Sequence, residues 1–276
     1  LPPPSIAFST NEGKALFTKA LSQGYLNAYF RLSETFTTQG HPSFCSLGSL
    51  TMALNALLID PNRVWQGVWR WFDESMLDCC QSLDVTKLKG LTLGNLACLA
   101  HCNAAEVTLR YGPDASEAQF REDVKIATSV GPDHEDGISS NFTVMIVSYN
   151  RAKLGQSGTG HFSPIGGYEE ESDRVLIMDV ARFKYPPHWV PLSDLYLALQ
   201  DIDPDSGKPR GYVLLRATED MHSRCDGCES SSCSSPNDTL AGGDRVIDLS
   251  ASIDVKLQTA LSLNVNAPSN DLSQTV

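Results

Sequence analysis

Gln39-Gly-His-Pro-Ser-Phe-Cys45-Ser-Leu-Gly-Ser-Leu50 passes from a polar, proline-containing loop into an apolar run, and the change falls at a cysteine. Beyond it Leu47, Leu50, Leu54 and Leu57 recur at steps of three and four, so the spacing predicts a helix from residue 45 to about 58. Asp60-Pro61-Asn62 closes that helix, because proline has no amide donor and clashes with the preceding turn. A thiol in a first helical turn meets unpaired backbone N–H groups and the positive end of the helix dipole, and both favour the thiolate. The same donors can hold the oxyanion formed when a thiolate attacks a carbonyl. A glutamine, Gln39, stands six residues upstream.

Working outward, residues 11–23 carry helical spacing through Ala15, Leu16, Lys19 and Ala20. Residues 64–80 are dense in tryptophan (Trp65, Trp69, Trp71), and residues 91–102 read as another helix. After about residue 140 the period changes. Phe142-Thr-Val-Met-Ile-Val-Ser-Tyr149 reads as a buried strand by its length and β-branching. Two more strands, 161–168 and 174–180, flank the acidic turn Glu169-Glu-Glu-Ser-Asp173, and Gly211-Tyr-Val-Leu-Leu215 is a fourth. Helices first and antiparallel strands second predict an α+β domain over residues 1–218. Residues 219–276 form a Cys/Ser-rich tail of low complexity that is expected to be partly disordered, with Val246, Leu249, Ile253, Leu257 and Leu261 lining a weak amphipathic face.

A formal net charge of −12 over 276 residues argues against nucleic acid or an anionic membrane as partner. No run approaches ~18 consecutive apolar residues, so no transmembrane helix is expected. The chain starts at Leu1-Pro-Pro-Pro rather than methionine, which is compatible with a lost targeting segment. Eight cysteines in so long a chain do not resemble a compact disulfide scaffold and point to a reducing cytosol.

A cysteine nucleophile needs a histidine base and a group to orient it. Six histidines are present; His41, His101, His134 and His222 lie in loops, a helix or the tail, which leaves His161 and His188. His161 opens one strand of the proposed hairpin and Asp179 closes the other, equidistant from its acidic turn. Opposed residues of an antiparallel pair share one face with Cβ atoms ~4.5–5.5 Å apart, so Asp179 is expected directly across from His161. A one-residue slip would part them. A single buried cysteine is usually a small hydrophobe, and a single His–Asp pair usually structural; the helix-start cysteine, the upstream glutamine and the hairpin together point to catalysis.

Arg70-Trp-Phe-Asp-Glu-Ser-Met-Leu-Asp-Cys-Cys80, Cys98-Leu-Ala-His-Cys102, Thr159-Gly-His-Phe-Ser-Pro-Ile-Gly-Gly-Tyr168 and Asp179-Val-Ala-Arg-Phe-Lys-Tyr-Pro-Pro-His-Trp-Val-Pro191 closely resemble plant-type phytochelatin synthase, over roughly residues 1–218. The resemblance implies a papain-like fold with a helical N-terminal lobe and an antiparallel sheet lobe. It places the catalytic triad on Cys45, His161 and Asp179, and the oxyanion glutamine on Gln39. The implied reaction moves the γ-glutamylcysteinyl group of glutathione, through a thioester on Cys45, to a second glutathione or a growing phytochelatin, with release of glycine. No organic cofactor is expected; cadmium, zinc and copper ions act mainly as metal–glutathione thiolates. Arg182 and Arg151 are candidates to hold substrate carboxylates, since guanidinium binds them in a two-toothed geometry. Cys79, Cys80, Cys98, Cys102 and the tail residues Cys225, Cys228 and Cys233 are candidate ligands for soft metals. A homodimer is allowed for.

The chain departs from the family in having Phe44 where a tyrosine precedes the nucleophile, and residues 131–140 look inserted. Two rivals remain at this point: a glutathione or glutathione-conjugate peptidase in which water takes the acyl group, and a thiol-rich metal buffer without turnover.

Overall fold

The computed structural model describes residues 1–129 and 142–218. The insertion at 131–140, the amphipathic tail and Cys225, Cys228 and Cys233 lie outside them. In chain order the elements are β1 (Ile6–Ala7), α1 (Asn11–Ser22), α2 (Asn27–Glu34), α3 (Cys45–Ala56), α4 (Leu83–Lys89), α5 (Leu93–Cys102), β2 (Ala105–Tyr111), α6 (Glu117–Thr128), β3 (Val144–Asn150), β4 (Gly160–Glu169), β5 (Arg174–Ile177), β6 (His188–Pro191), α7 (Leu192–Leu199) and β7 (Gly211–Ala217). The strands form one sheet in the order β1-β6-β5-β4-β3-β7-β2, with every neighbouring pair antiparallel. This is the α+β class. No helix among the described residues is long and apolar enough to cross a membrane.

The sheet is covered on both faces, and the strands show it by alternation. Val144 and Ile146 of β3 and Val213 and Leu215 of β7 enter the core shared with α3 and α5. Met145, Val147, Tyr149, Tyr212 and Leu214 enter the opposite core, with α6 and α7. A strand buried on both sides needs apolar residues at both parities, which is why the 142–149 run reads as continuous hydrophobicity. Helix α3 lies inside the first core: every residue from Ser46 to Ala56 is buried. Two of its polar residues anchor it to other elements. Ser49 Oγ donates to the Phe162 carbonyl of β4 at 3.1 Å. The Asn55 amide clamps Phe72 from both sides, donating to its carbonyl and accepting its N–H, each at 3.0 Å.

Several expectations need correction. Helix α3 ends at Ala56, before the proline, and Leu58 takes a left-handed φ of 57° that reverses the chain there. The hairpin forms, but His161 does not face Asp179 across it. The ladder runs Glu169↔Arg174, Tyr168↔Val175, Gly167↔Leu176 and then, across a bulge at Gly166, Ile165↔Ile177. Continued further, that register would set Ser163 opposite Asp179. The strand partner of His161 is instead Tyr149 of β3. Strand β5 ends at Ile177, one last bond from Met178 N–H reaches the Pro164 carbonyl at 2.9 Å, and the chain then leaves the ladder. Strands β1, β2 and β6 and helices α2, α4, α6 and α7 are additional to the elements expected from sequence.

Strands β2 and β7 approach so closely at Tyr111↔Gly211 that a Cβ on Gly211 would stand 2.8 Å from Tyr111 Cα and overlap the Arg110 carbonyl. Backbone cannot swing aside as a side-chain end can. Gly211→Ala is expected to lower unfolding stability by ~1–3 kcal/mol, as overpacking does, read as a reduced urea midpoint at unchanged slope.

Candidate active site

Cys45 is the first residue of α3. Its N-cap, Phe44, contributes no side-chain hydrogen bond, so the first-turn amides keep no side-chain acceptor. Opposite stands His161, buried near the start of β4, with its Nε2 2.8 Å from Asp179 Oδ1. That contact assigns the Nε2 proton toward Asp179 and leaves Nδ1 for the sulfur. The ring of Tyr149 packs edge-on against the imidazole, 5.7 Å between centroids, and holds its plane.

Asp179 is fully buried and fully used. Oδ1 also accepts the Ala181 N–H at 2.9 Å, and Oδ2 accepts from Arg151 Nη2 at 2.7 Å. Arg151 in turn donates to Gln156 Oε1 at 2.6 Å. With its oxygen so occupied, Gln156 must present its Nε2 to His188, donating to the ring Nε2 at 2.8 Å. His188 therefore carries its proton on Nδ1, which donates to the Pro186 carbonyl at 2.8 Å. Burial pulls His188 down to about 4, consistent with a neutral ring. Of the two histidines left open by sequence, His161 stands at the sulfur, and His188 supports the carboxylate at second hand.

The charges are mutually supportive. Burial pushes the Cys45 thiol up, but the charge of His161 and its hydrogen bond, with a smaller contribution from Arg151, outweigh burial and leave the thiol below its ordinary range. Burial pulls His161 down, and the negative charges of Asp179 and Cys45 more than reverse it, leaving the imidazole raised. Burial raises Asp179, yet His161 and Arg151 hold it well below the usual carboxylate range. The thiolate is lost as pH falls through the lowered Cys45 value, and the imidazolium is lost as pH rises through the raised His161 value. Between the two the pair is ionised.

Gln39 is buried beside this centre. Its backbone N–H donates to the Val180 carbonyl at 3.0 Å, which stitches the nucleophile loop to the segment carrying Asp179. Its side-chain Nε2 donates to the His41 and Pro42 carbonyls at 2.8 and 2.9 Å. Sequence suggested a free oxyanion donor; here both amide protons are engaged within the loop. A cleft of about 160 Å³ opens over the sulfur, lined by Gln39, Pro42, Cys45, His161, Phe183 and Lys184, with Arg151 at its base.

The arginines differ from expectation. Arg151 is 2% exposed and bound to Asp179 and Gln156, so it is a partner of the buried Asp179 carboxylate rather than a free hand for substrate. Arg182 is exposed, its guanidinium 4.5 Å above the Phe36 ring, and does not line the cleft. An exposed cation that does, Lys184, is additional to the sequence reading; it donates to the Ser157 carbonyl at 2.6 Å. It sits with Phe183 in the turn that follows Asp179, closed by Lys184 N–H donating to the Ala181 carbonyl at 2.7 Å, and no periodic pattern in the sequence marks it.

A separate group of thiols lies between the segment after residue 76 and the end of α5. The sulfurs of Cys79, Cys80 and Cys102 all lie within 4.8 Å of one another. Cys79 and Cys80 are 3.8 Å apart, Cys80 and Cys102 3.5 Å, and Cys98 brings its sulfur 2.7 Å from that of Cys80. Hydrogen bonds from Cys102 and Cys80 hold the Cys79 thiol well below its ordinary range.

Comparison with known proteins follows the same lines. The sequence model of the family described as phytochelatin synthase matches residues 1–212. The chain belongs to the phytochelatin synthase family. It is 50% identical over 213 residues to glutathione gamma-glutamylcysteinyltransferase 1 of Arabidopsis thaliana, covering 77% of this chain and 42% of that protein. With glutathione gamma-glutamylcysteinyltransferase of Schizosaccharomyces pombe it shares 44% identity over 222 residues, 80% of this chain and 50% of that protein. The chain thus spans about two fifths to one half of the length of the curated relatives it matches.

Without His161, burial is opposed mainly by the more distant Arg151 charge, so the Cys45 thiol rises and little thiolate remains at pH 6.5. Alkylation of Cys45 by iodoacetamide at pH 6.5 is expected to slow ~10-fold or more in His161→Ala, and its pH profile to move to higher pH.

Proposed function

We propose that this chain is the acyl-transfer unit of a glutathione γ-glutamylcysteinyltransferase, with residues 1–218 as a papain-like catalytic domain. The observation that carries the reading is the buried Asp179–His161 contact beside a thiol at the mouth of α3, in a chain 50% identical to a protein of that name over this region. The Cys45 thiolate attacks the cysteinyl–glycine carbonyl of glutathione. The oxyanion is met by the Cys45 backbone N–H; Gln39 Nε2 joins it by turning from one of its loop carbonyls, and loss of one such donor typically costs ~10²–10³ in rate. Protonated His161 gives its proton to the departing glycine nitrogen, and a γ-glutamylcysteinyl thioester remains. The amine of a second glutathione or of a phytochelatin then loses a proton to His161 and attacks the thioester, which returns the sulfur as thiolate.

Lys184 at the cleft supplies positive charge that substrate carboxylates need in an acidic chain. Heavy-metal ions enter as metal–glutathione thiolate substrates. A reducing, cytoplasmic setting belongs to this reading, since the nucleophile must stay a thiol. Incubation with glutathione and cadmium is expected to release glycine, to yield γ-Glu-Cys oligomers, and to leave a γ-glutamylcysteine adduct on the Cys45 peptide by mass spectrometry. Cys45→Ser should abolish all three. Glycine release without oligomers would make the chain a hydrolase, and neither product from the wild-type chain would remove the reading.

The thiol group fits a soft ion. Tetrahedral thiolate ligands ~2.3 Å from zinc stand roughly 3.8 Å apart, close to the Cys79–Cys80 and Cys80–Cys102 spacings. Cys79, Cys80 and Cys102, with Cys98 adjoining, would tie the segment after residue 76 to α5 through such an ion. With Cys225, Cys228 and Cys233 replaced by serine, cadmium added to the reduced chain is expected to give an ultraviolet thiolate-to-metal band and a raised Tm, both lost when Cys79→Ser and Cys102→Ser are added. An intact band in that variant, or a Cys80–Cys98 disulfide surviving reductant, would remove the site.

A further inference from the structure

Beneath the nucleophile loop lies a carboxyl group that the reaction as described does not use. Glu74 opens a short 3-10 turn, Glu74–Met76, and turns its side chain under residues 39 and 40. Its Oε2 accepts the Gly40 N–H at 2.9 Å. Its Oε1 is buried and has no hydrogen-bond partner among the described residues. Two glycines make room for it. A Cβ on Gly40 would stand 2.8 Å from Oε2; a Cβ on Gly48, one turn beyond Cys45, would stand 2.9 Å from Oε1 and 3.4 Å from Gln39 Cβ. The carboxyl is therefore wedged between α3 and the loop, against the two residues whose relative position sets where Gln39 stands over the sulfur.

The cost of this arrangement argues for a use. A buried carboxyl oxygen without a partner is unfavourable, and burial lifts Glu74 to about 7. An apolar side chain would fill the space without that cost. What it could not do is accept the Gly40 N–H. With Gln39 N–H held by the Val180 carbonyl on one side and Gly40 N–H held by Glu74 on the other, consecutive amides are fixed from opposite lobes. Only the second attachment comes from the helical side that carries Cys45.

We propose that Glu74 is a positioning residue for acyl transfer: by holding Gly40 N–H and wedging against Gly48, it fixes Gln39 relative to the Cys45 sulfur. The proposal rests on the transferase or hydrolase reading of the site, because it concerns the acylation step that both share. Misplacing a catalytic group by about 1 Å can cost ~10²-fold. In Glu74→Ala, kcat for glycine release from glutathione is expected to fall ~10- to 100-fold with KM changed less than about twofold. Alkylation of Cys45 at pH 6.5 should stay at the wild-type rate, since the thiolate–imidazolium pair is untouched. Glu74→Gln keeps an oxygen acceptor of the same length and should retain at least about a third of wild-type kcat.

Gly48→Ala serves as an independent variant should Glu74→Ala fold poorly. Its methyl leaves Glu74 in the chain but must push the carboxyl aside, although alanine is otherwise the better helix residue by ~1 kcal/mol. It should lower kcat with alkylation unchanged. Wild-type kcat in either Glu74→Ala or Gly48→Ala would overturn the assignment. So would a Glu74→Gln variant as slow as Glu74→Ala, or alkylation falling in parallel with kcat, which would mark the residue as a support of the fold. Absence of glycine release from the wild-type chain would instead remove the functional reading on which the proposal rests.

Discussion

Asp179 carries a negative charge into a place without exposed surface, and the arrangement around it follows from compensating that charge. A buried carboxylate is tolerable only if it is paired and its oxygens are hydrogen-bonded. Here Arg151 takes one oxygen, and His161 and the Ala181 N–H take the other. The cation on Arg151 must itself be held, which Gln156 does, and Gln156 is fixed by His188. The consequence reaches the sulfur: a histidine held beside a carboxylate keeps its proton, and a protonated histidine stabilises the neighbouring thiolate. One buried charge thus bears on the tautomer of His161, the ionisation of Cys45 and the conformation of residues 150–156.

Much of this was legible in the sequence, for reasons that can be named. Helix α3 announces itself because its leucines recur at helical steps, and β3 because both its faces are apolar. The acidic run at 169–173 marks a turn correctly. What escaped was the register beyond it. The Gly166-Gly167 pair carries no side chain to signal which residue bulges, and the contact between His161 and Asp179 arises off the ladder, where the chain leaves β5 and brings the carboxylate back. Strand β2 was legible and overlooked, with Ala105, Val107 and Leu109 alternating against Glu106, Thr108 and Arg110. The role of Arg151 was not legible. Its partners lie 28 and 5 residues away, and only closure of the sheet brings Asp179 to it.

The thiols show a different kind of legibility. Four cysteines in two pairs could be grouped from spacing, but the contacts that bring a helix carrying Cys98 and Cys102 to a loop carrying Cys79 and Cys80 could not: Asn55 clamps Phe72 to the buried helix, and Asn95 Nδ2 of α5 donates to Gln81 Oε1 at 3.1 Å. Two polar residues inside α3 reach other elements: Ser49 the strand that carries His161, and Asn55 the segment that bears Glu74 and the paired cysteines.

Because α3 is enclosed along its whole length, the nucleophile at its tip occupies a frozen address. Any substitution that shifted the sulfur would have to pass through the interior. The rim of the cleft is under no such restraint: Ser157, Phe183 and Lys184 face solvent, and replacing them disturbs little beneath. Divergence among descendants of this architecture should therefore run through which molecules the cleft admits, while the geometry around the sulfur stays the same.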